Sequence, residues 1–220
     1  MSYNAFAEFY DGLTGNVEYK DRAEYIEKLI KSFGREAGTT LDLACGTGSL
    51  TLELYRRGFD IFGVDASIDM LSEAQQKCSE DEQILFICQK MQRLNLASEI
   101  DTCICTLDSI NHLTNPKDVK ETFKRVAKYL SKDGLFIFDV NTLYKHREVL
   151  CDNCFVFDTD EVFCSWQNEL DKETDIVNIT LDFFIPDENG LYFRETEEFS
   201  ERAYSDEDLT QWLDRKSTRL

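Results

Sequence analysis

Apolar residues recur along this chain with two periods, one helical and one extended, and the switch between them divides it. Between Tyr19 and Phe33 the apolar positions Ile26, Leu29, Ile30 and Phe33 are three and four apart, which predicts a helix with one buried face ending at Gly34. Residues 39–44 are a short run of β-formers and apolar side chains entering Cys45-Gly-Thr-Gly48, the pattern of a strand that runs into a tight turn. Leu50 and Leu54 then mark a short helix closed by Arg56, Arg57 and Gly58, a basic last turn followed by glycine. A second strand over 61–64 ends at Asp65, and Ser67 is placed to cap a helix carrying Met70, Leu71, Ala74 and Cys78 on one face.

Residues 84–88 and 102–106 predict two more strands. Asn115 followed by Pro116 predicts a helix start, because proline at the first helical position loses no useful N–H; Val119, Phe123, Val126, Ala127 and Leu130 supply its stripe. A fifth strand over 135–140 is apolar without interruption, as expected where both faces of a parallel sheet are covered. Strand and helix alternate strictly, which predicts an α/β fold with a doubly wound, mostly parallel sheet. Beyond residue 155 the period becomes two, since Val177, Ile179, Leu181 and Phe183 alternate with Asn178, Thr180 and Asp182, and Val162, Cys164 and Trp166 do likewise. With a turn over 186–190, this segment predicts two or three antiparallel strands, an insertion that caps a pocket. Ser205, Asp206, Glu207 and Asp208 start a last helix. The expected organisation is a helical lid over 1–36, a ligand-binding α/β core over 37–150, an antiparallel β cap over 151–204 and a core helix over 205–220.

Ligands of an open parallel sheet bind outside the carboxyl ends of its strands, where Asp42 to Gly48 and Asp65 both fall. Gly46 and Gly48 remove Cβ atoms that would keep a ligand from the backbone, and the following helix presents free N–H groups. Asp65 can accept from both hydroxyls of a ribose, so the parts of an adenosine-ribose site are present. A dinucleotide fingerprint would need glycine three residues after Gly48, where Thr51 stands, which argues against NAD and FAD. A phosphate-binding loop would need Gly-Lys-Ser or Gly-Lys-Thr, which the sequence lacks.

Charge and cysteines narrow the partners. Forty-three acidic residues against 24 basic give a net charge of −19, which repels phosphate backbones and anionic lipids, so neither nucleic acid nor membrane is expected as a partner. The same field suits a cationic or neutral substrate better than an anionic one, although acidity also serves solubility. No apolar run approaches the roughly 18 to 20 residues of a membrane span, and the first residues lack the regions of a signal peptide, so a cytoplasmic protein is expected. The 8 cysteines then read as thiols, with Cys88, Cys103 and Cys105 as small buried hydrophobes. Cys151 and Cys154 have the spacing of a redox or zinc pair, but only His112 and His146 could complete a metal shell, and no metal is expected.

LDLACGTGSLTLEL, from Leu41 to Leu54, and GVDASIDMLSEA, from Gly63 to Ala74, resemble the first two motifs of class I S-adenosylmethionine-dependent methyltransferases. The resemblance is closest to the small-molecule branch that includes glycine N-methyltransferase and sugar-amine N-methyltransferases. It continues through CTLDSINHL and GLFIFDVN and so covers residues 1–145, with the later strands alike only in kind. It implies a Rossmann-like methyltransferase fold, S-adenosylmethionine as cofactor with S-adenosylhomocysteine as product, and in-line methyl transfer to a small-molecule amine or hydroxyl acceptor. It also implies that Asp42, Ala44, Cys45 and Gly46 border the methionine portion, that Asp65 holds the ribose with Ala66 beside it, and that Met70 packs near the adenine. The adenine would be read at Gln89, Lys90, Met91 and Leu107. Many relatives carry an acid in place of Lys90 that accepts from the adenine amino group; lysine cannot, so that contact is expected to fall to backbone atoms. The stretch from Tyr3 to Asp11 resembles the family's lid, with Tyr3, Tyr10 and Tyr19 as its aromatic contacts.

Relatives also continue past the last helix with strands that complete a seven-stranded sheet, whereas this sequence stops at Leu220. The expectation is that the C-terminal strands are missing and that an uncovered sheet edge is left as an association surface, in a monomer or homodimer. Methyl transfer itself asks little of side chains, since the sulfonium is already activated and alignment and removal of water dominate. The acceptor must still lose a proton, and Asp108 and His112 are the candidate catalytic bases, with Tyr144 and His146 behind them. A loop or capping role for His112 is the plain alternative. Two other readings stay open: a non-catalytic member that binds without transfer, and a nicotinamide-dependent Rossmann enzyme.

Overall fold

The computed structural model of the chain describes residues 4–214. Strands β1 (Thr39–Leu43), β2 (Asp60–Asp65), β3 (Phe86–Cys88), β4 (Ile100–Cys105) and β5 (Leu130–Phe138) form one parallel sheet in the order β3-β2-β1-β4-β5. The order turns back between β1 and β4, which makes the carboxyl end of β1 the switch point where open sheets bind ligands. Helices α1 (Asn4–Leu13), α2 (Tyr19–Ser32), α3 (Ser49–Arg56), α4 (Ile68–Lys77) and α5 (Pro116–Tyr129) alternate with these strands or precede them. Of the predicted α2 stripe, Leu29 is half-buried and Phe33, past the helix end, is exposed, whereas Ala23, Ile26 and Ile30 of α2 and Leu50 and Leu54 of α3 pack with Ile61 and Ile104 of the sheet. Each such side chain, taken fully out of water, stabilises the fold by about 2 kcal/mol.

Several expectations shift on contact with the sheet. Strand β3 is shorter than 84–88, since Ile84 is buried and Leu85 exposed outside the pairing. It is also an edge strand, so Cys88 is exposed, whereas Cys103 and Cys105 on the inner strand β4 are buried. Helix α4 stops at Lys77, before Cys78. On α5 the stripe runs through Thr122 and Tyr129, and Ala127 is exposed. Leu130 already belongs to β5, whose pairing with β4 jumps from Ile100↔Leu130 to Thr102↔Leu135 and so loops out the polar residues between.

The chain divides into two compact units. Of the described residues, one comprises 4–107 with Lys117–Asp139; the other comprises Asp108–Pro116 with 140–214. Residues 108–116, read from sequence as core, thus group with the later segment. This second unit contains a π-helical turn (Lys145–Leu150), helix α6 (Asp206–Leu213) and an antiparallel sheet of β6 (Cys154–Asp158), β7 (Phe163–Asp171), β8 (Ile176–Pro186) and β9 (Tyr192–Arg202), paired in chain order. The sheet has 4 strands where two or three are predicted; the one without a predicted counterpart is β6, whose 5 residues are too few to show a period. Val177, Ile179, Leu181 and Phe183 are buried as their period requires. Among the described residues no helix is long and apolar enough to cross a membrane.

Candidate active site

In the first unit, β1 leaves the sheet at Ala44, which adopts φ 61°. The N–H groups of Ala44 and Cys45 both donate to the Val64 carbonyl, at 2.7 and 3.1 Å, so the turn is pinned to β2 before it departs. Gly46 N–H donates to Asp65 Oδ2 at 2.9 Å and Ser67 N–H to Asp65 Oδ1 at 2.8 Å. A carboxylate accepts about four hydrogen bonds, so Asp65 can order this turn and also meet a ligand's hydroxyls. Ser67 caps α4 as expected, accepting from Met70 N–H at 3.2 Å.

The two glycines of the turn do different work. A Cβ on Gly48 (φ 71°) would stand 2.8 Å from Ala74 Cβ and 3.2 Å from the Phe86 ring, so this glycine permits α4 and β3 to pack close. A Cβ on Gly46 (φ 54°) would meet nothing within 4 Å, so it is here that the missing side chain leaves backbone open to a ligand. Behind the turn, buried Asp42 accepts from Thr51 Oγ1 at 2.6 Å. Thr51 therefore stands where a dinucleotide site has glycine because Asp42 needs a donor inside the core. Burial pushes the Asp42 carboxyl up to about 6, Asp65 pushing the same way and the Thr51 bond opposing. The Cys45 thiol is raised well above its ordinary range, by burial first and then by Asp42 and Asp65.

The other expected positions lie at the same strand ends. Ala66 is exposed and Met70 buried on α4, Met91 begins a short 3-10 turn, and Leu107 follows β4 with φ 58°. Gln89 is committed elsewhere, since its side-chain amide exchanges hydrogen bonds with the Asn95 backbone at 2.8 and 3.2 Å. Lys90 is exposed. In α1, Tyr10 is half-buried with its ring edge-on to Phe6 at 5.2 Å, and the Tyr19 hydroxyl lies 3.4 Å from Thr14 Oγ1; burial raises the Tyr19 phenol. Tyr3 lies outside the described residues. Asp11 escaped the sequence reading: it accepts from Thr47 Oγ1 at 2.7 Å and Ser49 Oγ at 3.1 Å and pairs with Lys77, tying α1 to the turn.

The second unit holds the candidate bases. Asp108 (φ 52°) accepts from Asn141 Nδ2 at 2.8 Å. His112 is exposed, with its ring on Phe199 at 5.2 Å between centroids. Phe199 meets Trp166 edge-on at 6.3 Å, and Trp166 meets Phe157 at 6.2 Å. Glu197 and Glu201 flank Phe199 at spacing two, on the same face of β9, and both are buried. Trp166 Nε1 donates to Asn168 Oδ1 at 2.8 Å, which holds the indole in place. Burial raises the Glu201 carboxyl, but His146, the pull of His112 and the Asn141 amide outweigh it and hold the group below the usual range. Tyr144 is exposed. A signal for the two acids was present in the sequence, since each shares the apolar phase of its strand with Phe199.

Known proteins of similar sequence and structure agree with this geometry. The methyltransferase-domain family matches residues 40–134. The Bacillus subtilis (strain 168) protein named "Putative methyltransferase YqeM" is 34% identical over 215 residues, 97% of this chain and 85% of that one. The glycine/sarcosine N-methyltransferase of Aphanothece halophytica is 30% identical over 138 residues, 61% of this chain and 51% of that one. The crystal structure of an S-adenosylmethionine-dependent methyltransferase from Clostridium acetobutylicum ATCC 824 matches with a TM-score of 0.85 at 38% identity, covering 96% of this chain and 85% of that one. CalS10 of Micromonospora echinaspora, solved with its cofactor bound, shares the fold with a TM-score of 0.74 at 15% identity, over 93% of this chain and 85% of that one. These relatives overturn the nicotinamide reading: the chain belongs to the S-adenosylmethionine-dependent methyltransferases.

Proposed function

We propose that the enzyme methylates a small-molecule amine, gripped by the acidic and aromatic face of the second unit. The observation that carries this is the run of rings Phe157, Trp166, Phe199 and His112 beside the buried carboxylates Glu197 and Glu201. Aromatic faces attract cations, and two carboxylates beside them deepen the negative potential of that face. An ammonium gains from both; a neutral hydroxyl gains less. The net charge of −19 draws a cation in the same sense. The name of the glycine/sarcosine relative is consistent with an amine acceptor.

In this reading Ala44, Cys45 and Gly46, backed by Asp42, border the cofactor's methionine portion, and Asp65 accepts from the ribose with Ala66 beside it. Met70, Met91 and Leu107 supply apolar contact to the adenine. Its polar contacts fall to backbone at 89–91, since the Gln89 amide is occupied and Lys90 points outward. Tyr10 supplies the lid's aromatic contact. When bound, the cofactor supplies an activated methyl carbon on sulfur; the chain aligns the acceptor, excludes water and takes up its proton. His112 suits that last task better than Asp108, whose carboxylate already anchors Asn141.

The test is incubation with methyl-labelled cofactor and matched panels of small amines and small hydroxyl compounds. Label is expected in an amine. Label confined to hydroxyl compounds or to macromolecules overturns the amine acceptor.

A further inference from the structure

Glu201 on β9 is 3% exposed, and each of its carboxylate oxygens faces a different imidazole. Oε1 lies 3.7 Å from His112 Nε2 and Oε2 lies 3.7 Å from His146 Nε2, both ion-pair approaches longer than a hydrogen bond. Asn141 Nδ2 donates to Glu201 Oε2 at 3.1 Å as well as to Asp108 Oδ2 at 2.8 Å, and so bridges the two carboxylates. Asn111 braces the bridge: its Oδ1 accepts from Asn141 N–H at 2.8 Å, and its Nδ2 donates to the carbonyls of Asn141 at 3.1 Å and Arg202 at 2.8 Å. The cluster draws on the 108–116 loop, the segment entering the π-helical turn, the turn itself and β9.

His146 is the least expected member. It is fully buried, and neither ring nitrogen has a hydrogen-bond partner among the described residues. Buried polar atoms left so are rare, and each calls for a reason. The residue sits on a π-helical turn, closed by Cys151 N–H donating to the His146 carbonyl at 2.9 Å, and such widened turns recur at functional sites. A residue needed only to fill space would carry no nitrogens; here Nε2 is aimed at the carboxylate. His112 is the opposite case, an imidazole whose side chain is 41% exposed. A buried carboxylate thus faces an outer imidazole with one oxygen and an inner imidazole with the other.

We propose that Glu201 is a positioning residue for methyl transfer: it holds His112 as the proton acceptor for the amine, while His146 shares the carboxylate's charge from behind. The proposal rests on the amine reading above. In the step, an N–H bond of the acceptor ammonium would break and its proton pass to His112 Nδ1, the nitrogen away from Glu201; the electron pair left on nitrogen would form the N–CH3 bond while the bond from that methyl to the sulfonium sulfur breaks, its electrons staying on sulfur in the departing thioether product. Glu201 balances the imidazolium, and the proton leaves later to solvent from the exposed ring. The titratable groups facing Glu201 are His112 on the loop and His146 on the turn, with Asp108 reached through the Asn141 amide. Arg202 is directed elsewhere, its Nη1 donating to the Thr114 carbonyl at 3.3 Å.

The chain has 2 histidines, so its imidazole C–H spectrum contains one outer and one inner signal. A carboxylate this close sets the environment of both rings. At fixed pH, E201Q should move both C–H signals from their wild-type positions, and H146Q should remove the inner signal and leave the outer one. Signals that E201Q leaves unmoved overturn the proposal.

The kinetic arm uses the amine found with labelled cofactor. E201Q and H112Q should each lower kcat by about 100-fold with cofactor affinity unchanged, and the double variant should be no slower than H112Q alone. Multiplicative losses would mean that Glu201 does not act through His112. If E201Q fails to fold, E201D keeps the charge on a shorter arm and should still move both imidazole signals. A wild-type enzyme that labels no amine defeats the amine reading; the imidazole spectrum is decided without any acceptor.

Discussion

The two units place their functional groups by opposite means. In the first, the turn proposed to hold the cofactor is built from residues 42–48 with Asp65 and Ser67, and its contacts are backbone N–H groups aimed by two hydrogen-bonded strands. In the second, His112, His146 and Glu201 come from distant parts of the chain, and their contacts are side chain to side chain. A backbone-built site depends on conformation at a few positions, several of them glycine. A side-chain cluster depends on the register of a whole sheet and on charge balance.

Asp65→Ala should show the sharpest effect. Removing the carboxylate takes away the proposed ribose acceptor and the partner of Gly46 and Ser67 N–H, so cofactor affinity by calorimetry should fall at least about 100-fold, with about 2 kcal/mol of stability lost through the orphaned donors. The earlier picture of Asp65 as a ligand group alone would predict the first effect without the second. Unchanged affinity would break the assignment of the turn to the cofactor.

Asp42→Asn separates the packing behind the turn from the turn itself. The Asp42 carboxyl sits at about 6 against an ordinary 3.8, so the folded protein holds that proton more tightly than the unfolded chain. Its contribution to stability is fully present below about pH 4 and is lost as pH rises through 6, a span of roughly 3 kcal/mol. Urea denaturation from pH 4 to 7 should therefore show the wild type losing ground to D42N as pH rises. A difference that stays constant with pH would mean that Asp42 titrates normally.

The smallest effects distinguish the two glycines. Gly48→Ala should cost about 2 kcal/mol of stability through overpacking against Ala74 and Phe86. Gly46→Ala should cost about 1 kcal/mol through its positive φ alone, and should weaken cofactor binding instead. Equal destabilisation by thermal melting, with binding intact in both, would erase the distinction between a packing glycine and a ligand-facing one.

The order of strands and helices through residue 138 was legible because each element there announces itself by period and by a capping or turn residue. Gly34, Gly58 and Ser67 mark ends that the structure places at the expected residues. Strand β6 was missed because 5 residues show too little of a period-two pattern. Leu130 was assigned to a helix because apolar spacing cannot tell the last turn of α5 from the first residue of β5. Asp65 was identified because a strand end next to a glycine turn is a local pattern. Glu201 was missed because an acid in the apolar phase of a strand acquires meaning only through what its neighbours bring.

Local order along the chain was enough to specify the parallel sheet, the turn at Cys45 to Gly48 and the acid that closes β2, since backbone dihedrals and short-range hydrogen bonds act between residues close in sequence. Tertiary structure alone decided that Thr51 satisfies Asp42, that Asp11 ties α1 to the turn, and that Glu201 stands between two imidazoles. Those pairings follow from strand register and helix placement, which bring distant residues within a few ångströms, and the period of a segment carries no information about its partner.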